Sequence, residues 1–92
     1  MIVRILGEGQ FELAESEMDS LNELDGRLTT AVQSGNEAVF EQSLAKLLGR
    51  VREHGAACSD EFLGESDFVL PAAETTIEEV VALLAEDGLV PG

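Results

Sequence analysis

Two long amphipathic stretches of this chain meet at Gly35 and Asn36 with nothing else between them, and this junction limits the fold more than any other feature. Gly35 suits the left-handed conformation that ends a helix, and Asn36 suits the cap that begins one. Helices joined so tightly fold back on each other as an antiparallel hairpin. The first carries Met18, Leu21, Leu24, Leu28, Ala31 and Val32 at three- and four-residue steps, with Glu23 and Arg27 as an i,i+4 pair beside them. Ser16 followed by Asp19 has the form of a capping box and places the helix start at about Glu17. Asp25-Gly26 lies inside this helix, where a Gly costs about 1 kcal/mol relative to Ala. The second stripe is Phe40, Leu44, Leu47, Leu48 and Val51. Glu37 and Glu41 at its start and Arg50, Arg52 and His54 at its end complement the helix dipole, and Gly55 is the natural stop.

Short extended segments flank the hairpin. Met1-Ile2-Val3-Arg4-Ile5-Leu6 is an apolar, β-branched run, followed by Gly7-Glu8-Gly9-Gln10 and then Phe11-Glu12-Leu13. This pattern predicts a β-hairpin with strands at residues 2 to 6 and 10 to 14, turned at Gly7 to Gly9. The near-continuous apolar character of the first strand predicts that it is the more central and that both its faces are covered. Phe11 and Leu13 flank an exposed Glu12 in period two. Phe68-Val69-Leu70 before Pro71 reads as a third, edge strand over residues 67 to 70. Thr75 with Glu78, or Thr76 with Glu79, caps a third helix carrying Ile77, Val80, Val81 and Leu84. Gly88 ends that helix, Leu89 folds back onto Leu84, and Pro91 prevents its continuation. The expected architecture is α+β in a single domain, residues 1 to 92: a small, mainly antiparallel sheet packed on the helical hairpin, with a C-terminal helix closing one side. Strand order is not set by these patterns. An uncovered edge strand would also permit a homodimer by sheet extension.

Charge decides which partners such a domain can meet. Nineteen Asp and Glu against five Lys and Arg give a net charge of −14, so the surface repels phosphate backbones and anionic headgroups. Direct nucleic-acid and membrane-surface binding are therefore disfavoured. With no apolar run near the 18 residues of a membrane span and no basic-then-apolar leader, a cytoplasmic protein is expected. The single cysteine, Cys58, agrees with a reducing compartment. The acid excess also fits a habitat of concentrated salt, where screening relieves self-repulsion.

The motifs that could carry chemistry are sparse. Gly7-x-Gly9 after a strand invites comparison with a dinucleotide fingerprint, but position 12 is Glu and a strand follows where a helix is required. His54 and Cys58 are four apart, yet Gly55 breaks a helix between them and the chain has no second Cys or His. No metal and no cofactor are expected. Asp60, Glu61, Glu65 and Asp67 surround Gly64 without the spacing of a calcium loop. An acidic loop at residues 59 to 67 still leaves a second functional reading, a small-molecule or cation-responsive sensor. Within that loop Phe62-Leu63 either plugs the hairpin from below or anchors a basic partner. Lys46, Arg50, Arg52 and His54 form the one basic cluster, read either as internal charge balance or as a docking spot for an acidic helix. One His and no nucleophile pattern offer little for catalysis, so no enzyme is expected.

Two stretches resemble a known family. They are Met1 through Phe11, MIVRILGEGQF, and the tail from Ser66-Asp67-Phe68-Val69-Leu70-Pro71 through Thr76-Ile77-Glu78-Glu79-Val80 to Gly88-Leu89-Val90-Pro91-Gly92. Together they resemble the PspA-associated family, PspAA, small archaeal and actinobacterial proteins whose genes accompany phage shock protein A. The resemblance spans essentially the whole chain and supplies no catalytic residues. It implies an accessory role in the phage-shock envelope-stress response, with a phage-shock-protein-A-like coiled coil as partner and a place at the inner face of the membrane through it. The expected docking contacts are Phe62, Leu63, Phe68 and Val69, with Lys46 and Arg50 from the basic cluster and an acidic rim for steering.

Overall fold

The structure, a computed structural model, describes residues 1–59 and 64–81. Its elements in chain order are β1 (Ile2–Ile5), β2 (Gly9–Glu12), a 3-10 turn (Glu15–Glu17), α1 (Met18–Ser34), α2 (Glu37–His54), β3 (Ala56–Ala57), β4 (Phe68–Leu70) and α3 (Ile77–Val81). The architecture is α+β, with the two long helices packed on each other and on one face of the sheet.

The helical hairpin forms as its junction requires. Gly35 sits at φ +69° and its N–H reaches the carbonyls of Ala31 and Val32, while the Asn36 side chain accepts from the Val39 N–H at 3.1 Å. At the start of α1 the expected Ser16 cap is absent. The chain instead enters through the 3-10 turn, with Ala14 extended ahead of it and Glu17 in the cap position of α1, and no side chain caps either. The tighter turn satisfies the Glu17 N–H through the Ala14 carbonyl at 3.0 Å, so the hydroxyl is not needed there.

The sheet has four strands in the order β3-β2-β1-β4 and is mainly antiparallel as expected, with two antiparallel pairings and one parallel pairing that makes it mixed. β1 pairs antiparallel with β2 around the tight turn, where Gly7 and Gly9 take φ +86° and +110°. β4 pairs parallel with β1, setting Val3 against Phe68 and Ile5 against Leu70. Parallel pairing follows from connectivity: the chain leaves β3 on one edge and returns to the other edge running alongside β1. β1 is an interior strand as expected, but only one of its faces is covered. Val3 and Ile5 are fully buried, whereas Arg4 is exposed and Leu6 just beyond it is 41% exposed, because both helices pack on the Val3 side.

One aliphatic core joins the layers. Val3, Ile5 and Leu70 from the sheet meet Leu28, Phe40 and Leu47 from the helices, all at 0% exposure. Each such side chain stabilises the fold by about 1.5 to 3 kcal/mol relative to leaving it in water. The whole predicted stripe of α2, from Phe40 to Val51, lies in this core. On the opposite face, Gln10 is the fastening point. Its side-chain amide donates to the Gly64 carbonyl at 3.1 Å and to Ser66 Oγ at 2.9 Å, and its backbone carbonyl accepts from the Cys58 N–H at 2.8 Å. Asp67 secures the start of β1, its carboxylate accepting from the Ile2 N–H and its N–H donating to the Ile2 carbonyl, each at 2.7 Å. At α3 the Thr76–Glu79 pair supplies the cap: the Glu79 N–H and the Thr76 hydroxyl lie 3.3 Å apart, and that hydroxyl donates to the Glu79 carboxylate at 3.2 Å. Leu84, Gly88, Leu89 and Pro91 lie outside the described residues.

Candidate functional site

The core takes one side of α2 and leaves a second stripe outward. Val39, Gln42, Lys46, Gly49 and Glu53 follow each other at steps of three, four, three and four residues, the spacing of a coiled-coil seam. All five line a shallow groove over the seam between α1 and α2. Its first part, a depression of about 510 Å³, is walled on the α1 side by Glu23, Gly26, Arg27 and Thr30. Its second part, about 470 Å³, runs past Leu24, Ala45 and Gly49 to Glu53. The two parts share Lys46. The groove is open because its floor is made of small residues, Gly26, Ser43, Ala45 and Gly49. A Cβ placed on either glycine would touch nothing within 4 Å.

Polar groups in the groove divide into satisfied and free. Arg27 pairs with Glu23 at 2.9 Å, and the Thr30 hydroxyl donates back to the Gly26 carbonyl at 3.0 Å. Ser43 is 4% exposed, and its hydroxyl makes no hydrogen bond among the described residues. Lys46 and Glu53 likewise have no ion-pair partner among the described residues.

The rest of the basic cluster balances charge inside the fold. Arg50 holds Glu17 in a two-pronged pair, Nε to Oε1 at 2.9 Å and Nη2 to Oε2 at 3.1 Å, and His54 Nδ1 lies 3.3 Å from the same carboxylate. Hydrogen bonds from Arg50 hold the Glu17 carboxyl below the usual 4.5, with partial desolvation opposing and the charges of Arg50 and His54 adding to the effect. Arg52 grips Glu8 in the β-turn through both carboxylate oxygens, which lowers the Glu8 pKa and raises that of Arg52. These pairs strap the end of α2 to the 3-10 turn and to the β1–β2 turn. Among the residues expected to dock a partner, Arg50 is therefore already engaged, whereas Lys46 has no ion-pair partner among the described residues.

Phe68 leaves the docking set. It is 8% exposed and packs in the core against Val3's side of the sheet, because residue alternation in β4 turns it inward. Val69, its neighbour, faces out at 41% exposure beside Arg4. Phe62 and Leu63 lie outside the described residues, as do Asp60 and Glu61 of the acidic loop. The remaining loop acid with a visible contact, Asp67, is taken up by Ile2. Among the described residues no three His, Cys, Asp or Glu side chains gather closely enough to hold a metal ion. His54 turns to Glu17, and Cys58 sits half-exposed beyond β3, lining a small hollow of about 170 Å³ with Arg4, Glu8 and Gln10. The sequence reading missed the outward stripe of α2. Its spacing was visible, but its residues are polar or small, so a search for apolar periodicity passes over them.

Comparison with known proteins bears on the whole molecule. The model of the PspA-associated protein family matches residues 1–92. The chain belongs to the PspA-associated family. No curated protein and no solved structure matches it. A PspA-associated protein is thus seen here as a mixed sheet backing a helical hairpin with an open groove on its outer side. No helix among the described residues is long and apolar enough to cross a membrane.

Proposed function

We propose that this PspA-associated protein is a non-catalytic accessory that binds a phage-shock-protein-A-like coiled coil in the envelope-stress response. The carrying observation is the groove over the α1–α2 seam, edged by a stripe of α2 at coiled-coil spacing. A helix pair with an unfilled outer groove is suited to receive another helix, since amphipathic helices recognise one another by laying one face into such a groove. Family membership supports the identity of the partner. A net charge of −14 supports the route: the chain repels anionic headgroups and reaches the cytoplasmic face of a membrane through a basic partner.

The test is a calorimetric titration of the full chain with the phage-shock-protein-A-like coiled coil from the same organism, at a salt concentration that keeps the chain folded. Saturable binding with a defined stoichiometry supports the accessory role. Absence of heat and of co-elution, with the chain shown folded by circular dichroism, removes it.

A further inference from the structure

The groove carries more information than an opening for some helix. Lys46 and Glu53 are seven residues apart on α2, two helical turns, so they stand on one face about 10 Å apart along the axis. Between them Gly49 leaves the floor bare, and beside them Ser43 lines the groove wall. Every other charged side chain lining the groove is engaged within the protein, Arg27 with Glu23 and Arg50 with Glu17. Among the described residues the unengaged charges of the groove are one cation and one carboxylate at heptad separation, on a surface whose small residues admit a close backbone.

We propose that the groove reads one helix of a coiled-coil partner by charge register: a carboxylate on that helix pairs with Lys46 and a cation seven residues away pairs with Glu53. This rests on the accessory reading for the identity of the partner, but the groove's selectivity is a separate claim. The occupant is a helix with small residues on its contact face, because Gly49, Ala45 and Ser43 leave room for backbone rather than for large side chains. It carries lysine or arginine outside the seam, because the chain that receives it has a net charge of −14. Seven-residue repetition of charge is what a coiled-coil helix offers at successive equivalent positions. A partner helix displaced by one turn meets bare glycine instead of a charge, so the pair of contacts fixes axial position as well as affinity.

The experiment uses two partners: the phage-shock-protein-A-like coiled coil, and a synthetic four-heptad helix with alanine and serine on its contact face, lysine elsewhere and one Glu and one Lys seven residues apart on the seam. A second peptide has Lys at both seam positions, and a scrambled peptide measures non-specific attraction at 150 mM salt, near physiological ionic strength. The wild-type chain is expected to prefer the Glu/Lys peptide over the Lys/Lys peptide by at least fivefold. Lys46→Glu should reverse that preference, and Gly49→Leu, which fills the groove floor, should weaken both by at least tenfold. Peptide binding that ignores Lys46→Glu, or that equals the scrambled control, overturns the charge-register claim. Binding of the coiled coil that is unchanged by both variants overturns it too while leaving the accessory role standing. Selective peptide binding without binding of the coiled coil supports the groove and removes the proposed partner.

Discussion

Four glycines of this chain should respond to alanine with opposite signs, and the structure says which. Gly26 lies in the interior of α1 and Gly49 in that of α2, neither has positive φ, and an added Cβ at either would meet nothing within 4 Å. Alanine there loses no contact and reduces the freedom of the unfolded chain, a gain of about 0.4 to 1 kcal/mol each. The double variant should gain about 1 to 2 kcal/mol, and at roughly 4 to 8 °C per kcal/mol for a domain of this size its Tm should rise by roughly 5 to 15 °C. Gly35 and Gly55 should behave in reverse. Gly35 holds φ +69°, where a Cβ costs about 1 to 2 kcal/mol. At Gly55 a Cβ would lie 2.5 Å from the Val51 carbonyl oxygen and 3.2 Å from Phe11 Cβ, a backbone clash that no side-chain rotation relieves. Urea denaturation followed by circular dichroism, with thermal melts in parallel, reads all four. A loss of stability for Gly26→Ala or Gly49→Ala would refute the reasoning, because it would mean that the groove floor is already occupied by something a methyl group displaces.

Other outcomes follow from the same contacts. Asn36→Ala removes the hydrogen bond to the Val39 N–H and should cost about 1 kcal/mol in urea denaturation, whereas Asn36→Asp should keep most of it. Glu17 is ionised more readily in the folded chain than in the unfolded one, so the unfolded chain binds the extra proton and the Glu17–Arg50 pair stabilises most above pH 4.5. The stability difference between wild type and Glu17→Gln should therefore be full near neutrality and close as pH falls through the lowered Glu17 pKa; a gap that does not narrow as pH falls contradicts this. With 19 acidic residues against five basic ones, self-repulsion should be relieved by screening, and the melting temperature should climb from low to molar potassium chloride. A flat profile counts against adaptation to concentrated salt.

What could be read in the sequence was local. Phe40 to Val51 recur at helical spacing, and Gly35 with Asn36 carry the cap chemistry, so the helical hairpin follows from residues near one another in the chain. The sheet depends on distant partners. Ala56 and Ala57 have no strand propensity of their own and become β3 only because Phe11 and Glu12 offer an edge to pair with. β4 announces its strand character through Phe68, Val69 and Leu70, but nothing in those residues specifies a parallel neighbour. Leu6 and Val69 show the limit of composition: both are apolar and both stand 41% exposed, because the helices cover only one side of the sheet. Gln10 shows the converse, a polar residue buried because Gly64 and Ser66 pass over it. For the groove, the heptad spacing of Val39, Gln42, Lys46, Gly49 and Glu53 was present in the sequence, but its openness depends on where α1 lies.

The central claim is that the outer groove of the α1–α2 hairpin receives a helix of a phage-shock-protein-A-like coiled coil. The most direct measurement is a titration of isotopically labelled full-length chain with that coiled coil, following backbone amide resonances. The account predicts that the largest changes fall at Gly26, Ser43, Lys46 and Gly49, and that amides of β1 and β4 move little. Changes confined to Leu6, Val69 and their neighbours on the open face of the sheet, with the groove unmoved, would contradict it.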